Sequence, residues 1–134
     1  MKPPIWVLPE VVLALHEQLL AEFGGATGLR DEGLLHSALA RPVNLFANGK
    51  ASRFQMAAAY CHGIVKNHPF VDGNKRTGFA VTVLFLELNG HVFRAPEAEA
   101  VVQVLALAAG ALSEARCGTW LKASCRAIRA RAAR

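Results

Sequence analysis

"NHPFVDGNKRTGF", residues 67–79, sets His68, Asp72, Asn74, Lys75 and Arg76 in one short turn, while the chain on either side is mostly alanine, leucine and valine. Upstream, a segment from about 53 to 66 carries Phe54, Ala58, Cys61 and Val65 at helical spacing. Downstream, residues 75–88 are apolar on most faces and end at Asn89-Gly90. The polar stretch therefore reads as a loop, 68–74, between two helices. Ser52 and Gln55 match a capping box, S-x-x-Q, at the start of the first. The second, being apolar nearly all round, is expected at the centre of the molecule.

Outward from this pair the period stays helical. "LPEVVLALHEQLLAEFGG" has Pro9 and Glu10 in a first turn, an apolar row of Val12, Leu15, Leu19 and Phe23, and Gly24-Gly25 as a stop. "RDEGLLHSALARP" offers Asp31 as a cap, Leu34, Leu35, Ala38 and Leu39 as one face, and Pro42 as terminator. Residues 42–51, "PVNLFANGKA", show no period and read as a loop or short extended flap. "APEAEAVVQVLALAAG" begins another helix with Pro96 near its first turn. A last helix starts near Ser113 and carries Trp120 and Leu121 inward. "GHVFRA", 90–95, suits a short strand, but one isolated strand defines no sheet. The expected fold is an all-α bundle of about six helices, a single domain over 1–134.

Composition agrees. The chain is 53% hydrophobic and 19% charged, which is globular rather than disordered. Its three cysteines form no C-x-x-C pair and suit no disulfide framework, so a reducing, cytoplasmic compartment is expected. Pro3, Pro4, Pro9 and Glu10 break up the opening, which does not read as a signal peptide. The longest uncharged stretches, near 77–86 and 100–113, fall short of the roughly 20 residues that span a membrane. The net charge of +5 is all at one end: from Ser113 to Arg134 six basic residues face one acid, while the first 112 residues balance nine against nine. A solvated helix end accounts for that tail; a nucleic-acid contact is the less favoured alternative.

The turn itself carries the chemistry. The first N–H groups of a helix have no intrahelical partner and sit at the positive end of its dipole, where phosphates settle. Gly73 removes the side chain where a phosphate approaches the backbone. Lys75 and Arg76 place cations where the dipole disfavours them by a few tenths of a kcal/mol each. That local conflict points to an anion. Asp72 is the carboxylate that Mg²⁺ needs beside a polyphosphate, or else a simple cap. His68 is the nearby group whose ordinary pKa of roughly 6.5 suits proton abstraction near neutrality. Phe70 reads as the loop's anchor in the core. "HEQLL", 16–20, is not the zinc motif H-E-x-x-H, since position 20 is leucine. His36, His62 and His91 are too dispersed to suggest a zinc site. Cys117 and Cys125, eight apart, read as small residues on one helix.

"HPFVDGNKR" resembles the signature of the Fic/Doc family, H-x-F-x-D/E-G/A-N-G/K-R, in its lysine-bearing Doc form. "GGATGLRDEGLLHSALARP" and "LFLELNG" are also similar to Doc sequences, so the likeness runs from about Leu15 to Trp120. The resemblance implies a toxin of a toxin–antitoxin pair that uses ATP and Mg²⁺ to phosphorylate a threonine or serine hydroxyl of elongation factor Tu. It implies His68 as general base, Asp72 as the Mg²⁺ ligand, and Gly73, Asn74, Lys75 and Arg76 as the nucleotide cradle. Asn48 and Lys50, on the flap, would touch the target. Most Fic enzymes are adenylyltransferases with glycine at the position of Lys75 and arginine at that of Phe79, and adenylyl transfer is the alternative activity. The chain has no inhibitory S/T-x-x-x-E-G/N motif, which implies a separate antitoxin whose disordered tail folds onto the toxin. A non-enzymatic nucleic-acid binder using the basic tail is the rival outside this class.

Overall fold

A computed structural model describes residues 2–128. The first helix, α1, is Pro9–Phe23; α2 is Glu32–Ala47, α3 Arg53–Asn67 and α4 Asn74–Leu88. Strand β1, His91–Phe93, precedes α5, Glu97–Ala108, and α6, Glu114–Ala123, and β2, Cys125–Ala127, follows. The all-α reading holds, with six helices among the described residues and one small two-stranded addition.

The central element is α3, not α4. It buries nine of its fifteen residues, against seven of fifteen in α4, and it packs on α2, α4, α5 and α6. Size, more than apolarity, explains this. Ala57, Ala58, Ala59, Cys61 and Gly63 let neighbouring backbones close in on every side of α3. Its capping box forms in both directions, with Gln55 N–H to Ser52 Oγ at 3.1 Å and Ser52 N–H to Gln55 Oε1 at 2.7 Å.

Pro42 does not end α2; it lies buried inside the helix, which runs on to Ala47. The carbonyl of Ala38, deprived by Pro42 of its i+4 donor, faces α3 at Gly63, where an added Cβ would come within 3.1 Å of it. Packing against α3 thus sustains a helix that proline alone would stop. The expected flap is accordingly absent over 42–47, and only a turn at 48–49 separates α2 from the approach to α3.

The "GHVFRA" strand finds a partner in the tail. β1 pairs antiparallel with β2, Val92 opposite Arg126. The tail is therefore not a continuous helix: α6, capped by Ser113 on Arg116 N–H, ends at Ala123. Cys117 is buried on α6 while Cys125 lies on β2, so the two share no helix face. Arg116, Lys122 and Arg126 are exposed; Arg129, Arg131 and Arg134 lie outside the described residues. No described helix is long and apolar enough to cross a membrane.

Candidate active site

The site is built where α3 stops. His68 caps α3 in the left-handed region, φ 55° and ψ 53°, and is the one non-glycine with positive φ among the described residues. That conformation costs about 1–2 kcal/mol for a residue with a Cβ. Segment 28–31 holds it in place. Arg30 donates from Nε to the His68 carbonyl at 2.7 Å and from Nη2 to the Asn67 carbonyl at 2.9 Å. These are carbonyls that a helix end leaves unpaired, and a guanidinium also suits the negative end of the α3 dipole. The Arg30 and Asp31 N–H groups donate to the Pro69 carbonyl, and Val71 N–H donates to Gly28.

Below this, Phe70 anchors the loop, 1% exposed. Its ring stacks on that of His16 in α1, centroids 3.7 Å apart and planes 10° apart. The Asn74 amide brackets Phe70, accepting from its N–H and donating to its carbonyl at 2.9 Å each. Asn74 borders the cleft, but its buried side chain is engaged with the loop rather than extended into the opening.

Asp72 is fixed at both ends. Its backbone carbonyl accepts a 2.8 Å hydrogen bond from His16 Nε2. Its carboxylate accepts from Gly73 N–H at 2.8 Å and Ala26 N–H at 3.2 Å. Those two N–H groups, aided by Arg76 and His16, hold the carboxyl below the usual aspartate value, so it is ionised at neutral pH. Close approach to Asp72 requires glycine at position 25, where a Cβ would lie 2.7 Å from Oδ2.

Gly73, at φ 80°, then turns the chain into α4. No side chain caps this helix, and its first intrahelical bond runs from Thr77 N–H to the Gly73 carbonyl. The N–H groups of Asn74, Lys75 and Arg76 are left to face a ligand. They border a cleft of about 550 Å³ whose polar lining also includes His68, Asp72 and Glu97. Its apolar lining includes Leu19, Phe23, Phe79, Val101, Val104 and Leu105. The volume is in the range of small-molecule pockets.

The structure thus gathers His68, Asp72, Gly73, Asn74, Lys75 and Arg76 around one cleft. It separates Asn48 and Lys50 from them. Those two line a different hollow of about 240 Å³ beside Gln55 and Glu114. That hollow is at the N-terminal end of α3, and a fifteen-residue helix puts about 22 Å between its ends. Asn48 and Lys50 both lie in the short non-helical stretch 48–52 between α2 and α3.

Three site residues escaped the sequence reading. His16 lies in a stretch that only looks like a metal motif, yet it is one step along the helical row from Val12, the other buried position of α1. Phe23, expected in the core, is 52% exposed and borders the cleft. Arg30 carried no local signal, because the carbonyls it serves are 37 and 38 residues away. The buried cysteines offer no rival nucleophile: desolvation pushes the Cys61 thiol up to about 12 and Cys117 to about 11.

A helical bundle that sets a histidine loop against an uncapped, cation-flanked helix N-terminus defines a class of helical proteins with an anion-binding cleft. Comparison with known families narrows the class. The Fic/DOC family matches residues 6–86, more than half of the chain. The chain belongs to the Fic/DOC family. It is 33% identical over 93 residues to "Protein kinase doc" of Escherichia phage P1, covering 68% of this chain and 74% of the relative. It is 43% identical over 70 residues to "Toxin Doc" of Mycolicibacterium smegmatis, covering 51% of this chain and 54% of that one. Its similarity is to the Doc toxins within the family.

Proposed function

We propose that the chain is a Doc-type toxin kinase, which transfers the γ-phosphoryl group of ATP to a threonine or serine hydroxyl of elongation factor Tu. The observation that carries this reading is the α4 N-terminus: free N–H groups, two cations and an ionised carboxylate meet the cleft that His68 borders. The backbone N–H groups, Lys75 and Arg76 bind the phosphate oxygens. A ring nitrogen of His68 takes the proton from the target hydroxyl as its oxygen bonds to the γ-phosphorus. The bond from that phosphorus to the β–γ bridging oxygen breaks, and ADP leaves with the electron pair. Positioning and charge neutralisation account for most of the catalysis in such a transfer.

Asp72 fits Mg²⁺ by its donor set. It is ionised and exposed, and each oxygen accepts one N–H while keeping a lone pair. When bound there, the cation supplies charge neutralisation for the phosphates. The exposed side chains of Phe23, Val101 and Leu105 along the cleft support a partner that covers them, and an antitoxin tail folding on the toxin is that partner. Such a target and partner assign the protein to the cytoplasm.

Mass spectrometry of elongation factor Tu, after incubation with the purified chain, Mg²⁺ and ATP, tests the reading. The expected product carries one added phosphate on a hydroxyl side chain, and a folded His68→Ala variant gives none. Added AMP would assign adenylyl transfer instead. An unmodified factor, with steep salt dependence of binding to nucleic acid, would favour the binder.

A further inference from the structure

α1 lies along the catalytic loop through one row of side chains. His16 touches Phe70 and Asp72, Leu20 approaches Gly73, and Phe23 reaches Arg76. Phe23 is the last residue of the helix, which ends there as Gly24 turns to φ 82°. It is 52% exposed, so core packing does not explain an aromatic side chain at this position. The Arg76 guanidinium carbon sits 4.4 Å from the centroid of its ring.

Arg76 needs a holder. It is the third residue of α4, near the positive end of the dipole. Among the described residues no carboxylate reaches its guanidinium within salt-bridge distance. A carboxylate holder would occupy the N–H edge and cancel the charge. An aromatic face attracts the cation through its plane and leaves all five N–H groups on the open edge.

We propose that Phe23 is a positioning residue: its ring holds the Arg76 guanidinium by the face, so that the N–H edge is presented to the phosphates of a bound polyphosphate. The inference rests on the nucleotide reading above and extends it to a residue outside the motif. Because Phe23 is half exposed at a helix end, its substitution leaves the fold intact.

Calorimetric titration of Mg²⁺-tripolyphosphate, which has no base or sugar, and of Mg²⁺-ATP tests it on the full chain. Phe23→Leu is expected to weaken both ligands by the same factor, about two- to fivefold. Phe23→Tyr, which keeps the ring face, is expected to bind both as the wild type does. In an Arg76→Gln background, Phe23→Leu is expected to have no further effect. Wild-type affinity of Phe23→Leu for tripolyphosphate would overturn the proposal. A loss confined to ATP would also overturn it, by assigning the ring to the base, and so would an undiminished effect in the Arg76→Gln background. Failure of the wild-type chain to bind either ligand would remove the nucleotide reading, and this inference with it.

Discussion

The Nε2 atom of His16 lies 2.8 Å from the backbone carbonyl oxygen of Asp72 while the ring stacks on Phe70. A carbonyl only accepts, so Nε2 carries the hydrogen. One α1 side chain thus holds the loop both by an apolar face and by a donor. Separating these two contributions gives a prediction. His16→Phe keeps the stack and removes the donor, and is expected to lose only about 1 kcal/mol of stability by urea unfolding. Its affinity for Mg²⁺-ATP is expected to fall in calorimetry, since Asp72 is freed to turn. His16→Ala removes both and is expected to cost about 2–4 kcal/mol. Full ATP affinity in His16→Phe would reduce His16 to a packing residue.

Arg30 bears on His68 in the same way from the other side. Arg30→Met removes two donors to carbonyls at the end of α3, which water can replace because these bonds are exposed. The expected stability loss is therefore about 1 kcal/mol. Phosphoryl transfer is expected to fall by a larger factor, because among the described residues Arg30 is the side chain that donates to the His68 carbonyl in its left-handed turn. Arg30→Lys, with donors but no fork, is expected to be intermediate. Transfer by Arg30→Met at the wild-type rate would show that His68 holds its own geometry.

Gly63→Ala probes the α2–α3 contact. The new Cβ would stand 3.1 Å from the Cα, Cβ and carbonyl oxygen of Ala38, and two of these three are backbone atoms that cannot rotate aside. The expected loss is about 1–3 kcal/mol in chemical denaturation. A variant as stable as the wild type would mean that α2, with Pro42 inside it, can shift at little cost.

Acid should weaken the fold in two stages. Burial lowers the His62 pKa; Glu114 opposes this, and Arg41 and Lys66 add to it. Burial also lowers that of His91, with Arg53 adding. Both imidazoles titrate near 6.5 in the unfolded chain, so just below that pH the unfolded state binds more protons. The melting temperature is expected to decline as pH falls through this window, and to level off once the folded histidines are also protonated. Asp72, whose pKa is lowered, acts separately: its contribution is present above the ordinary aspartate value and is lost only as pH falls through the lower folded one. His62→Gln is expected to flatten the first stage; an unchanged melting profile would exclude His62 as its source.

Much of this architecture was readable in the residues. The capping box at Ser52 and Gln55, the Asp31 and Ser113 caps and the glycine stop after Phe23 are short-range chemistry, and the helices begin and end accordingly. What short-range rules missed depended on neighbours. Pro42 reads as a terminator until α3 is packed beside it, and α4 reads as central until the small residues of α3 are seen to admit helices on every side. β1 lacked a partner because its partner, Cys125–Ala127, lies beyond two intervening helices.

The site divides along the same line. The motif residues cluster because they are adjacent in sequence around one turn. His16, Phe23 and Arg30 reach that turn from elsewhere, and their roles depend on distances that only folding sets. Asn48 and Lys50 are distant from that turn in sequence, and continuation of α2 to Ala47 confines them to a short loop beside a separate hollow.

His68 caps α3, which places the imidazole at the tip of the described helix with the most buried residues. Loosened packing anywhere along that helix would tilt its tip before the protein melts. Conditional alleles, silent when warm and lethal when cool, should therefore map to Met56, Ile64 and their neighbours as readily as to the motif itself.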